Sequence, residues 1–553
     1  MIPGSQRALL AADRAIGAGN FLHRLLTYER DLDGPILSLD HDWTDAEGAV
    51  HRSLSLRDLK HVADAFASRC HALGVRPRDP VGVYVERPMD VLASHLALTG
   101  LGAIPVLVHG RLAPALAADY LRRVGVVGLL TDRAHLDAAR ALPEAGRDLP
   151  FITAIADLAM VSGASLPTRY PYAHQDDDPV LVTHSSGTTG VPKPVLMQHQ
   201  SYFYGVRYRL RLPTPQGMDR RMLSALPPQH AAAIMTIMMA LAHGVPIRLV
   251  SSQSADAVLD EIERFKPGMV SAFASTFADM TERDLGKRDL SSVSLWWSTG
   301  DAAHESHINR LALAGSHHQV EGGVRQLVPG STVIDSLGST EMGFMHFAKV
   351  HRAGTAVPER CLGAPLSFVD AAVLSEDGQA LGPYHVGRLG VRSPCVTSGY
   401  WNDSVQTWRS RVGGYWLTGD LVYRDDGGQF YHLDRVTDAI ETETGTLYSV
   451  LAEEILLRAH PEIADCTIVG VAGEGGRVEV SAFVSMRTGE IVDEEVLRRR
   501  ANVALEQHEV PVLAGVVQVR SGDIPLGVTG KVRKSMLRER LQATGAAGRS
   551  DET

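Results

Sequence analysis

Thr183-His-Ser-Ser-Gly-Thr-Thr-Gly-Val-Pro-Lys-Pro194 follows directly on Pro179-Val-Leu-Val182, a short apolar run that reads as a strand. Gly187 and Gly190 free the backbone to approach a ligand closely. Thr183, Ser185, Ser186, Thr188 and Thr189 supply hydroxyls, and Lys193 supplies a charge. Exposed N–H groups in such a turn form an anion nest, so the segment reads as a cradle for polyphosphate. It is not a Walker A loop, because Pro192 rather than glycine precedes Lys193. A polar hairpin rich in turn formers is the plainer alternative, which does not account for so many donors directly after a strand.

Outward from this loop the chain alternates. Leu59, Val62, Ala63, Phe66, Cys70 and Leu73 recur at helical spacing, which predicts a helix over residues 57–73 ended by Gly74. Strands are expected at 81–85 and 104–108, with a helix at 91–101 between them. The rhythm continues through 124–131 and predicts an α/β fold with parallel sheets. From about Arg435 the pattern changes to a hairpin-like stretch, a helix at 451–459, strands at 465–471 and 478–484, and a helix at 493–507. This predicts two domains, residues 1–433 and a small α+β unit of residues 434–553, with a frayed C-terminus.

The 553 residues carry a formal net charge of -10, which argues against a general nucleic-acid binder. Cys70, Cys361, Cys395 and Cys466 form no CxxC pair, so buried inert thiols are expected rather than disulfides or zinc. The N-terminal stretch is not a secretory signal, and the apolar run 96–108 is too short and glycine-broken to span a bilayer. A cytoplasmic location is the expectation.

Ser185-Ser-Gly-Thr-Thr-Gly-Val-Pro-Lys193 resembles the signature loop of the ANL superfamily of adenylate-forming enzymes, which includes acyl-CoA synthetases, peptide-synthetase adenylation domains and firefly luciferase. Further motifs follow in the family's order. Leu226-Pro-Pro-Gln-His230 resembles the segment beside the acyl pocket, and Ser298 to Ala303 (STGDAA) the adenine loop. Ser336-Leu-Gly-Ser-Thr-Glu341 resembles the Tyr-Gly-x-Thr-Glu motif, with Leu337 in place of the aromatic residue. Tyr415 to Asp420, Leu433-Asp-Arg435 and Pro525 to Lys531 resemble the ribose strand, the domain hinge and the C-terminal lysine loop.

The resemblance implies a large N-terminal domain of layered α/β subdomains and a small mobile C-terminal domain. It implies attack of a carboxylate on the α-phosphorus of ATP with loss of pyrophosphate, with ATP and Mg²⁺ required and CoA as co-substrate. Glu341 is implied at the metal, consistent with the oxygen preference of hard cations. The loop from Thr183 through Lys193, Gly300, Asp301, Ala302 and the run from Ser336 to Thr340 are implied at the nucleotide. Asp420 is implied at the ribose hydroxyls, Arg435 at ribose or phosphate, and Asp434 at the hinge. Lys531 and His230 are implied catalytic groups, the lysine offsetting repulsion between two anions.

No aspartate stands between Leu226 and Leu241 to pair with an ammonium, so an α-amino acid is disfavoured. Alanines and methionines over 231–239 suit a bulky apolar or aryl acid, or else a core helix. Where thioester-forming relatives usually carry lysine and then glycine after the hinge, this chain has Glu441, Glu443 and Thr444, with Gly445 nearby. Carboxylates there oppose an anionic coenzyme. Such divergence resembles split acyl-CoA ligase pairs of natural-product pathways such as platensimycin biosynthesis, in which a partner enzyme or carrier completes the thioester. The readings are thus a complete acyl-CoA ligase, an adenylation-only ligase, or a silent nucleotide-binding scaffold.

Overall fold

Strands Pro80–Val85 and Ile104–His109 are apolar along almost their whole length, so both faces must be covered. In the computed structural model they pair in parallel inside a six-stranded sheet, in the order Ile152–Ala154, Gly128–Thr131, Pro80–Val85, Ile104–His109, Pro179–Ser185, Lys193–Gln198. The structure describes residues 1–550 except 29, 141–148, 186–191, 219, 302, 356, 357, 359, 474–476, 488, 521, 522 and 528–530; side chains of 138 and 544–550 are also left out. Helices Leu56–Ala72 and Pro88–Gly100 match their sequence expectations within three residues, the first opened by a Ser55–Asp58 capping box.

A second sheet has eight strands. Its core, Thr332–Leu337, Leu295–Thr299, Met269–Phe273, Met222–Ser224, Ile247–Leu249 and Leu37–Thr44, is parallel, and Phe347–Arg352 and Val50–Leu54 close its two edges antiparallel. A third, antiparallel sheet joins Cys361–Gly363, Phe430–Arg435, Tyr415–Arg424, Gly387–Arg392 and Asp370–Leu374. Beyond it, Ile463–Ala472, Val478–Met486 and Gly515–Val519 form a three-stranded sheet covered by Ser449–Ala459 and Glu494–Glu506. Its apolar cluster draws on no residue before Ile440.

The end of the chain differs from expectation. A helix, Lys534–Ser550, runs where fraying is predicted; no proline interrupts it, and Leu537 and Leu541 dock on Phe483 and Ile524. All four cysteines are free and buried. Among the described residues no helix is long and apolar enough to cross a membrane.

The core also holds neutral imidazoles. Burial pushes His109, His199 and His230 down to about 3, and His95, His184, His243, His346 and His351 down to about 4. An unfolded chain would protonate these side chains below pH ~6.5, while the folded chain would not. Stability is therefore expected to be full above pH ~6.5 and to fall steeply as the pH drops toward 4, each extra proton bound by the unfolded chain contributing about 1.4 kcal/mol per pH unit. Urea titrations across pH 4.5–7.5 check this; a flat profile would show that these rings find compensating partners.

Candidate active site

The register Ser185↔Lys193 sets the two ends of the phosphate loop side by side. Its inner residues Ser186, Gly187, Thr188, Thr189 and Gly190 lie outside the described residues, as does Ala302. Ser185 and Lys193 face a cavity of about 140 Å³ at the carboxyl ends of strands Pro179–Ser185, Leu295–Thr299 and Thr332–Leu337, where open α/β sheets bind ligands.

The cavity has two characters. Its polar part is formed by Ser185, Lys193, Ser336, Ser339, Thr340, Glu341, Thr418, Arg435 and Lys531, and its apolar part by Ala231, Ala232, Met235, Trp297, Phe344 and Met345. The Trp297 indole is fixed because its Nε1 donates to Ser336 Oγ at 3.1 Å, and that hydroxyl donates to the Ser298 carbonyl at 2.9 Å. Phe344 is seated against a glycine: a Cβ at Gly205 would stand 2.4 Å from its ring.

Glu341 accepts from the Tyr400 hydroxyl at 3.0 Å, and the ring of Tyr400 lies 5.7 Å from Lys193 Nζ. Tyr400 thus links the carboxylate to the phosphate loop. Behind Arg435 lies Asp420, whose Oδ1 accepts from the guanidinium at 2.8 Å and lies 3.3 Å from His432 Nε2. Burial opposes the charge on Asp420, but Arg435 and His432 hold its pKa well below the usual range. Asp434, fully buried, accepts from the backbone N–H of Arg435 at 2.7 Å and from that of Ser449.

His230 caps the helix Ala231–His243, its Nδ1 accepting from the Ala232 N–H at 3.3 Å. That bond leaves Nδ1 without a proton. Burial, then the neighbouring His184 and Lys531, push the ring down to about 3, so the neutral ring carries its proton on Nε2. His230 is a donor rather than a base.

Of the residues singled out from the sequence, Ser185, Lys193, His230, Gly300, Ser336, Gly338, Ser339, Thr340, Glu341, Arg435 and Lys531 line this one cavity. Thr183 does not: it is buried and donates to the Gln229 carbonyl at 2.9 Å. Asp301, Leu337, Asp420 and Asp434 also lie off the cavity lining. No site role is read from the sequence for Trp297, Phe344, Met345, Thr418 or Tyr400, although Thr418 and Tyr400 stand within segments, Tyr415 to Asp420 and Gly387 to Tyr400, that share in the resemblance. Position was the available signal for two of these, because Phe344 and Met345 directly follow the Glu341 motif.

The sequence profile of the AMP-binding enzyme family matches residues 42–401. The chain belongs to this family and to the ANL superfamily of adenylate-forming enzymes. It is 43% identical to a 3-aminoavenalumate diazotase from Streptomyces sp., over 98% of this chain and 99% of that protein. It is 27% identical to a 3-amino-2-hydroxy-4-methoxybenzoate diazotase of Streptomyces cremeus, over 88% of this chain and 89% of that one. Its fold is similar to that of an anthranilate CoA ligase in complex with anthranoyl-AMP, with a TM-score of 0.80 at 20% identity, covering 98% of this chain and 100% of that one.

Ser336→Ala removes the acceptor of a buried indole N–H and is expected to destabilise the protein by about 1–3 kcal/mol. Thermal unfolding followed by tryptophan fluorescence checks this; an unchanged midpoint would mean that Trp297 finds another acceptor.

Proposed function

We propose that this chain is an ATP-dependent diazotase of an aminoaryl acid, in which nitrite takes the place that a carboxylate holds in acyl adenylation. The observation that carries this reading is the 43% identity to the 3-aminoavenalumate diazotase along 98% of the chain. Forming a diazo group from an amine requires an electrophilic nitrogen at the oxidation level of nitrite, and adenylation makes that nitrogen electrophilic by giving it a leaving group. A nitrite oxygen attacks the α-phosphorus of ATP, the bond to the β-phosphate oxygen breaks, and pyrophosphate leaves. The aryl amine then attacks the nitrogen of the nitrosyl adenylate, the N–O bond breaks, and AMP departs. The amine gives up one proton, and one proton is consumed when the resulting N-nitroso group loses water to give the diazonium.

The roles of the side chains are part of the proposal. Lys531 offsets the repulsion between nitrite and triphosphate; a unit pair at ~4 Å interacts by about 4 kcal/mol at surface-like screening. His230 Nε2–H donates to an oxygen of the bound oxyanion. Trp297, Phe344 and Met235 enclose the aromatic ring. Mg²⁺ would be held by the oxygens of Ser339, Thr340 and Glu341, which line the cavity and suit a hard cation, and would supply positive charge against the phosphates. Asp420 supports Arg435 beside the ribose. The chain divides at Leu433–Asp434, with Asp434 at the hinge.

A second reading is formation of an aryl acyl-AMP, with CoA or a partner completing the reaction. The apolar end of the cavity is compatible with it, since it suits an aryl carboxylate as well as an aryl amine. Glu441 and Glu443 weigh against CoA. They stand exposed on the hairpin Ile440–Leu447, whose end residues are buried, and there Glu441 accepts from Thr446 and Glu443 pairs with Arg477 at 2.8 Å. A silent scaffold is disfavoured by the gathering of Lys193, Glu341, Arg435 and Lys531 on one cavity.

With ATP, Mg²⁺ and a panel of aminoaryl acids, AMP formation is expected to require nitrite and to be unaffected by CoA. ¹⁵N-nitrite should deliver its label to the diazonium, read by mass spectrometry of the trapped azo dye. AMP formation from an aryl acid without nitrite, with CoA consumed, would overturn this in favour of the second reading. Lys531→Ala is expected to lower AMP formation about 10²-fold or more while ATP binding persists; an unchanged rate would remove Lys531 from the mechanism.

A further inference from the structure

Glu454 stands in the middle of the helix Ser449–Ala459 and is 2% exposed, yet its carboxylate serves a different segment. It accepts from the Glu305 backbone N–H at 3.2 and 3.3 Å and lies 3.1 Å from His304 Nδ1. His304 is the N-cap of the helix Glu305–Leu313 and makes no capping bond of its own. Glu454 supplies that missing acceptor from about 150 residues away, at the end of the helix where negative charge is favoured. Burial opposes a charged His304, but Glu454, Asp465 and Glu453 hold its pKa above the ordinary value. Burial also opposes a charged Glu454, but His304, Arg360 and the Glu305 N–H hold it at about 2. A largely buried carboxylate–imidazole pair therefore spans the two parts of the chain, away from the cavity lining.

The pair continues toward the lysine loop. Glu453, next to Glu454, accepts from Lys534 Nζ at 3.1 Å, and Ser449 Oγ on the same helix accepts from it at 2.6 Å. Lys534 opens the last helix three residues after Lys531. The segment that carries Lys531 is closed at its base, where the Gly527 N–H donates to the Lys531 carbonyl at 2.7 Å and the Arg533 N–H donates to the Pro525 carbonyl at 2.8 Å.

We propose that Glu454 and His304 form a clasp between the two parts of the chain that seats Lys531 in the cavity, which makes both of them positioning residues for that lysine. The path runs from His304 to Glu454, from Glu453 to Lys534, and so to Lys531. Cutting the clasp lets the C-terminal segment swing away, and the cavity loses its lysine while keeping its other walls. The inference rests on the role proposed above for Lys531.

The first test uses no substrate. In the full-length chain, Lys531 is acetylated with limiting acetic anhydride and followed by mass spectrometry, relative to the exposed Lys287. Glu454→Gln, and separately His304→Asn, are expected to speed Lys531 labelling about 5–10-fold, as a population shift away from the seated state requires. Kinetics supply the second test: Glu454→Gln should lower kcat for AMP formation at least about 10-fold with KM for ATP within about 2-fold. In a Lys531→Ala background the same change should cost less than about 2-fold, because residues acting through one another are not additive. Unchanged labelling, or a fully additive loss in the double variant, would overturn the clasp. If Glu454→Gln does not fold, Glu454→Asp, which keeps the charge but retracts it by one methylene, is read against the same outcomes. Failure of the diazotase reading is seen separately, as wild-type protein that makes no AMP from nitrite.

Discussion

Register in one antiparallel strand pair underlies the polar half of the cavity. Asp420 on Tyr415–Arg424 stands opposite Arg435 on Phe430–Arg435, and the ion pair they make points one guanidinium into the cavity. A slip of one strand by one residue would turn one of these two side chains to the other face of the sheet and break the pair. Arg435 is also where the third sheet hands over to the C-terminal segment, so the same register fixes a charge at the site and the direction of the departing chain. Asp434 secures the next step by binding the first turn of the helix Ser449–Ala459.

Adenylation brings a polyphosphate against a second anion, and this chain carries a net charge of -10. The opposing charge is local. Lys193, Arg435 and Lys531 come from three separate segments and meet on one cavity. His230 sits among them as a neutral donor. A further cation there would face repulsion from Lys531, whereas an N–H dipole stabilises an oxyanion without adding net charge.

Much of this was legible in the sequence where residues must be close to one another along the chain. The apolar strands, the helical periodicity and the ordered motifs carried the α/β fold and eleven residues of the cavity lining. The third sheet was less legible. Tyr415–Arg424 alternates buried and half-buried residues cleanly, but its partner Gly387–Arg392 lies well before it in the chain, and sequence spacing does not reveal that pairing. Trp297 was missed because a tryptophan in a buried strand looks like core; only the register against Thr332–Leu337 brings it beside Ser336. The role of Tyr400 is not legible from the sequence because its two links, to Glu341 and to Lys193, join segments far apart in the chain. The end of the final helix reads as frayed from residue 543 because alanine and glycine in a short tail resemble fraying, while its anchoring leucines lie at its other end.

The four thiols acquire a meaning on the diazotase reading. A nitrosyl adenylate, and the diazonium it yields, attack soft nucleophiles indiscriminately, and a thiolate is among the fastest of these. Cys70, Cys361, Cys395 and Cys466 are all buried, and burial pushes Cys70 and Cys395 up to about 12 and Cys466 well above its ordinary value. An enzyme that generated such reagents beside its own backbone would thereby be spared self-inactivation, because the side chains most easily poisoned by escaping intermediate are buried out of its reach.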